Sequence, residues 1–319
     1  LHVRSRRQRQ MCIRDRKWVE YVCRAAGDSC IWSTGHHYGD WLALDAGEGN
    51  YTGASRKEFI ATAFYAHSAQ LLAQAMDALD MDGAAYHRLF ETIRAAHQNA
   101  FPDCRTQTEC ALALHFGLAA APVRVAAQLA ELVRSNGNRL TTGFVGTPYL
   151  LHALSENGYA QTAYDLLLQT KAPSWLFSVK MGATTVWEHW DSRKADGSFW
   201  STDMNSFNHH AYGAVADWLY GAAGGIRPGK PGYETVLFSP IPNRRLQRFE
   251  VVVNTPHGKV CSCWKWNGPT VTYVLTTPVS AEIRLGGEQH NVAAGTYTFV
   301  RGDTTNRRIC LLYTSDAAD

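Results

Sequence analysis

A mainly α chain that ends in an antiparallel β-sandwich is the fold class predicted by three features of the sequence. Apolar residues keep helical spacing from Arg56 to about Ala222. Gly and Pro then crowd into GAAGGIRPGKPGY, Gly221 to Tyr233, where the pattern changes. Downstream, Val, Thr and aromatic residues alternate in runs cut by Asn-Gly, Pro-His-Gly and Gly-Gly turns.

Taken in order, Phe59, Ala63, Ala66, Leu71 and Ala75 predict a first helix, and Tyr86, Phe90, Ile93 and His97 a second. Further helices are predicted over Glu109–Leu118, Val123–Val133, Pro148–Ser155, Tyr159–Leu168 and Phe207–Leu219. Pro122 and Pro148 mark starts, and the Asn-Gly pairs at Asn136 and Asn157 mark stops. Medium helices joined by short turns imply antiparallel pairs. The later segments RFEVVVNTPHGKVCSCWKWNGPTVTYVLTT and SAEIRLGGEQHNVAAGTYTFV predict hairpins. The organisation expected is 17–222 helical and 223–308 β, with 1–16 and 309–319 set apart.

The ends are set apart because of their codons. Back-translated, CLLYTSDAAD (Cys310 to Asp319) has a reverse complement that reads, in another frame, RQRQMCIRD, which is Arg7 to Asp15. Both ends are therefore read as translated sequencing adapter and excluded from fold reasoning. Six Arg against one Asp in 1–16, and two Asp in 309–319, account for the whole +3 charge. The interval between them is neutral, which leaves no basic footprint for nucleic acid. No apolar run approaches a membrane span. Cys23, Cys30, Cys104, Cys110, Cys261 and Cys263 have no zinc spacing and read as scattered buried thiols, so no metal or cofactor is expected. Compartment and oligomeric state are left open.

Ten Trp and fourteen Tyr give a chain rich in flat rings with a polar handle, which suit sugar faces and protein interfaces equally. Polar and aromatic residues gather in the predicted loops YGDWLALDAG, TTGFVGTPYL, TTVWEHWD and NSFNHHAYG. Loops between rigid helices are where a shared site is built. In TTVWEHWD, Glu188 stands between Trp187 and Trp190, and a carboxylate beside so much aromatic surface must be paired, wet or poised for chemistry. Its residue types alone leave open a catalytic, a helix-capping and an ion-paired Glu.

These blocks, in this order and followed by a β module, resemble glycoside hydrolase family 78, the α-L-rhamnosidases. The resemblance rests on YGDWLALD, TTGFVGTPYLLHALSENGYAQTAYDLL, MGATTVWEHWDS, MNSFNHHAYGAVADWLY and GYETVLFSPIP, and covers nearly all of Lys17 to Phe299. It implies the later portion of an (α/α)6 barrel, then the family's β-sandwich. It also implies an inverting hydrolysis of terminal α-L-rhamnosyl residues with Glu188 as general base, Trp187 and Trp190 as a sugar platform, and Asp40, Trp41 and His209 lining the rhamnose pocket. By the same reading His210 faces the core, while His36 and His37 are surface residues. The general acid of that family lies in a block reading roughly D-x-P-x-R-x-E-R-x-G-W, and no such run occurs from Leu1 to Asp319. The chain is thus expected to be an enzyme fragment that is inactive alone. The alternatives are a non-catalytic carbohydrate-binding or structural fragment, and an (α/α)6 glycosidase of other sugar specificity.

Overall fold

The computed structural model describes residues 2–47, 49–302 and 310–311, with side chains for 13–47 and 49–302. The chain divides into two compact units, residues 1–213 and 214–319.

The first unit is built from helical hairpins. Helix α1 (His2–Ala26) packs on α2 (Lys57–Asp77), which pairs with α3 (Ala84–Ala100). Helix α4 (Gln107–His115) pairs with α5 (Pro122–Ser135), and α6 (Thr147–Glu156) pairs with α7 (Ala160–Leu167). In turn, α4 touches both α2 and α6, so α2, α4 and α6 form an inner layer. Composition separates the layers. In α4 every residue from Gln107 to Ala113 is buried, whereas α3 buries only Phe90, Ile93 and His97. In α5 the buried set is Val125, Ala126, Leu129, Ala130 and Val133, one stripe at helical spacing. Inner helices are enclosed on all sides and outer helices on one.

The predicted stops hold for a local reason. Asn136 and Asn157 cap α5 and α6, and Gly158 follows at φ +89°, a left-handed conformation open to glycine without strain. Thr106 caps α4 by accepting the Glu109 N–H at 3.1 Å. The enclosed Glu109 carboxylate takes the Arg56 backbone N–H at 2.9 Å, its Nη2 at 2.8 Å and the Arg105 N–H at 2.8 Å. Every lone pair of that buried charge faces a donor, and α2 and α4 are locked at one end.

Residues 2–16 are the first part of α1 and 310–311 form a short strand, while 309 and 312–319 lie outside the described residues. One expectation fails here. No helix begins at Phe207. After α8 (Trp175–Lys180) the chain is irregular to His210, and the next helical turn starts at Ala211. The reason is tertiary: Glu188 N–H donates to Ser206 O at 2.9 Å and His209 N–H to Val186 O at 2.9 Å, so 205–209 is tied to 186–188 instead of to itself.

The second unit opens with α9 (Val215–Trp218) and folds as two sheets. One has β1 (Ile226–Pro228), β2 (Val236–Phe238), β6 (Ala281–Leu285) and β7 (Glu288–Val292) in that order. The other has β3 (Arg248–Thr255), β4 (Gly258–Asn267), β5 (Thr270–Thr277), β8 (Gly295–Gly302) and β9 (Cys310–Leu311). All pairs are antiparallel except β2 with β6. Phe238 and Ile283 from one sheet and Val260, Trp264 and Leu275 from the other share a core, as alternating strands of a sandwich require. Among the described cysteines all are free, and only Cys104 and Cys110 are buried, fewer than expected.

Candidate active site

The four loop blocks are connected within the first unit, and Asp40 is the point around which the TTGFVG loop folds. Its carboxylate is wholly enclosed. One oxygen accepts the Thr108 hydroxyl and the Gly143 N–H (2.8 Å), the other the N–H groups of Val145 (2.7 Å) and Gly146 (3.2 Å). Thr108 lies in the first turn of α4 and Gly146 caps α6, so the carboxylate also sits at two helix N-termini, where negative charge is favoured. Burial pushes its carboxyl above the usual range against the pull of these bonds, of which the one from Thr108 is largest. A Cβ at Gly143 would collide with the Trp41 carbonyl oxygen, and one at Gly146 would stand 2.9 Å from Asp40 Oδ2. The glycines of TTGFVG are there because the loop wraps Asp40 at backbone distance. With both oxygens engaged and no surface open, Asp40 holds the loop in this structure.

From Asp40 the loop reaches the other blocks. Phe144 N–H donates to Trp41 O at 2.9 Å, and the Phe144 ring stacks on His209 at 4.6 Å between centroids. Tyr212 is buried against Phe144 and stacks on Trp190 at 3.9 Å. The Tyr212 hydroxyl is raised first by burial, with smaller contributions from the charges of Asp40 and Glu188.

Glu188 is only half-buried. Its Oε2 accepts the Ser206 N–H at 2.8 Å, and among the described residues no Lys or Arg pairs with it. Neither capping nor ion pairing accounts for it: it lies outside any helix, it has one neutral donor, and part of its surface is open.

Trp187 and Trp190 are both buried and line a cavity of about 270 Å³ with Trp175, Thr185, His189 and Tyr212, to which Glu188 does not contribute. Trp190 packs edge-on to Trp175 at 5.2 Å and flat on Tyr212. The two indoles thus face this cavity, and Glu188 is not among the residues that line it. His210, expected in the core, is exposed, while His209 is half-buried against Phe144. His36 is exposed and His37 partly so.

Sequence reasoning missed His189, Trp200 and Tyr51. His189 is buried and stacks on Trp200 at 3.5 Å and 17°. Burial is the main cause that lowers its imidazole to about 4, against the opposing pull of Glu188, so it is neutral near pH 7. Trp200 meets Tyr51 at 5.8 Å, Tyr51 meets Trp41 at 5.7 Å, and Trp41 meets Tyr38 at 5.9 Å. A run of rings thus connects the GDW block to the residue beside Glu188. The signal was present as loop aromatics next to Gly, but nothing in sequence order pairs residue 51 with residue 200. Among the described residues, no cluster of His, Cys, Asp and Glu is placed to hold a metal, and no helix is long and apolar enough to cross a membrane.

Comparison with known proteins adds to this geometry. Residues 13–223 match the bacterial alpha-L-rhamnosidase 6 hairpin glycosidase domain, and residues 225–297 the bacterial alpha-L-rhamnosidase C-terminal domain. An alpha-L-rhamnosidase of Streptomyces avermitilis is 38% identical over 279 residues, which is 83% of this chain and 26% of that protein. One from Formosa agariphila is 36% identical over 283 residues, 85% of this chain and 30% of that protein. The crystal structure of the Streptomyces avermitilis alpha-L-rhamnosidase complexed with L-rhamnose superimposes with a TM-score of 0.83 at 30% identity, over 92% of this chain and 31% of that one. The native enzyme from Aspergillus terreus does so with a TM-score of 0.86 at 29% identity, over 92% and 36%. The chain therefore spans roughly a third or less of the length of the curated relatives it matches.

Proposed function

The chain belongs to the bacterial α-L-rhamnosidase six-hairpin glycosidase family, and from that premise we propose that it carries the general-base half of an inverting hydrolysis of terminal α-L-rhamnosyl residues, on glycosides or polysaccharides that bear them. The observation that carries this reading is Glu188 itself: a half-open carboxylate with one hydrogen bond and, among the described residues, no Lys or Arg paired with it. Ser206 N–H steadies one oxygen and leaves the other free to accept a proton from water. That water would attack C1 from the face opposite the leaving oxygen, its proton passing to Glu188. To Trp41 and His209, both half-buried, the proposal assigns contact with the sugar. Protonation of the leaving oxygen needs a second carboxyl about 6.5–9.5 Å away. Asp40 cannot serve, because its oxygens are spent on the loop, and the acid block of the family has no counterpart in this sequence. The acid is accordingly assigned to a residue outside these 319.

The test is to graft residues 17–302 in place of the matching segment of the Streptomyces avermitilis enzyme and assay an aryl α-L-rhamnoside. The graft is expected to cleave it, and Glu188→Gln to lower kcat by at least about a hundredfold. Near-normal turnover in the variant would remove Glu188 from this role, and faster cleavage of another aryl glycoside would overturn the sugar assignment.

A further inference from the structure

We propose that Tyr38 and Tyr51, the rings that flank Trp41, form a binding platform for the neutral saccharide unit next to the rhamnosyl group, so that the site reads at least a disaccharide; this rests on the functional reading above. Tyr38 is 64% exposed and Tyr51 40%, each within one ring contact of Trp41, at 5.9 and 5.7 Å. Exposed aromatics of this size are usually scattered singly, whereas Tyr38 and Tyr51 both border the half-buried Trp41. Among the described residues, neither phenol hydroxyl has a hydrogen-bond partner, so each is available to a ligand. The ring faces offer an apolar surface to the C–H face of a pyranose, and the hydroxyls accept from or donate to its equatorial groups.

Placement supports the same occupant. The platform continues inward through Trp200 to His189, beside Glu188, and outward to Tyr38 at its most open end. A sugar held against Trp41 would therefore have its neighbour over Tyr38 or Tyr51. The loop that carries the three rings, residues 31–55, contains no Lys or Arg. A uronate would find no counter-charge on that loop, whereas a neutral pyranose needs none.

The experiment is a calorimetric titration of the chain itself with L-rhamnose, with a neutral disaccharide ending in α-L-rhamnose, with the same disaccharide ending in D-glucose, and with one whose second unit is a uronate. The neutral rhamnosyl disaccharide is expected to bind about three- to tenfold tighter than L-rhamnose. Tyr38→Ala and Tyr51→Ala should together remove that advantage and leave L-rhamnose affinity unchanged; both side chains are exposed, so the fold is retained. Equal affinity for L-rhamnose and the disaccharide, or an advantage that survives both substitutions, would overturn the platform while leaving the rhamnosidase reading intact. A glucosyl disaccharide that binds equally well and depends on Tyr38 and Tyr51 would uphold the platform and overturn the rhamnosyl assignment. Tighter binding of the uronate would overturn the neutral class, and absence of binding by every sugar would overturn both.

Discussion

Asp40 and Glu188 are two carboxylates on neighbouring loops of one helical unit, and the chain treats them in opposite ways. Asp40 is sealed, with four donors and two helix N-termini converging on it. Glu188 is half-open, with one donor and unspent acceptor capacity. Around Asp40 the loop could not keep its shape without the charge; around Glu188 the backbone is held by buried indoles, and the carboxylate is left over. A fold uses a carboxylate where its lone pairs are consumed and offers it for chemistry where they are not.

The sharpest way to break the comparison is to remove the sealed carboxylate. Asp40→Ala strands three backbone N–H groups and the Thr108 hydroxyl, and denaturant unfolding should show a loss of about 3–5 kcal/mol. A loss under about 1 kcal/mol would mean that the loop stands without it. A smaller effect sits beside Glu188. His189 is lowered to about 4 when folded and is ordinary when unfolded, so between those values the unfolded chain binds the extra proton. Stability from this group is complete above about pH 6.5 and falls as pH drops toward 4, by on the order of 2 kcal/mol at pH 4.5. His97, lowered to about 4 among Phe59 and Phe101, acts in the same window, so the informative quantity is a difference. His189→Phe, which keeps the stack on Trp200, should lose less Tm than the parent between pH 7 and 4.5; parallel curves would show that the imidazole is not held neutral. The smallest effect is on the open carboxylate. Glu188→Gln should change unfolding stability by less than about 0.5 kcal/mol, and a cost as large as that of Asp40→Ala would erase the distinction between the two.

What could be read from the sequence followed local physics. Helical spacing, prolines at helix starts and Asn-Gly at stops placed α2 to α7, and alternation with glycine turns placed the strands, because those signals lie within one turn or hairpin of what they determine. The Glu188 block stood out because a carboxylate between indoles is anomalous wherever it occurs. The role of Asp40 did not, since Thr108 and Gly146 lie 68 and 106 residues away and nothing in GDW announces them. The cavity that Trp187 and Trp190 line with Trp175 and Tyr212 was likewise not legible, because its walls come from separate stretches of the chain. A helix was expected from Phe207 because its spacing is helical, but pairing with 186–188 prevailed over propensity. The parallel β2–β6 pair joins segments distant in sequence, a pairing that turn chemistry does not encode.

The central claim, that Glu188 primes water from the face opposite the leaving group, is tested most directly in the grafted enzyme by Glu188→Gly in the presence of azide. A small anion needs no base and fits the space the side chain leaves, so azide should restore turnover of an aryl α-L-rhamnoside and yield the β-L-rhamnosyl azide, identified by the NMR of its anomeric centre. Absence of rescue, or an azide product of α configuration, would contradict it.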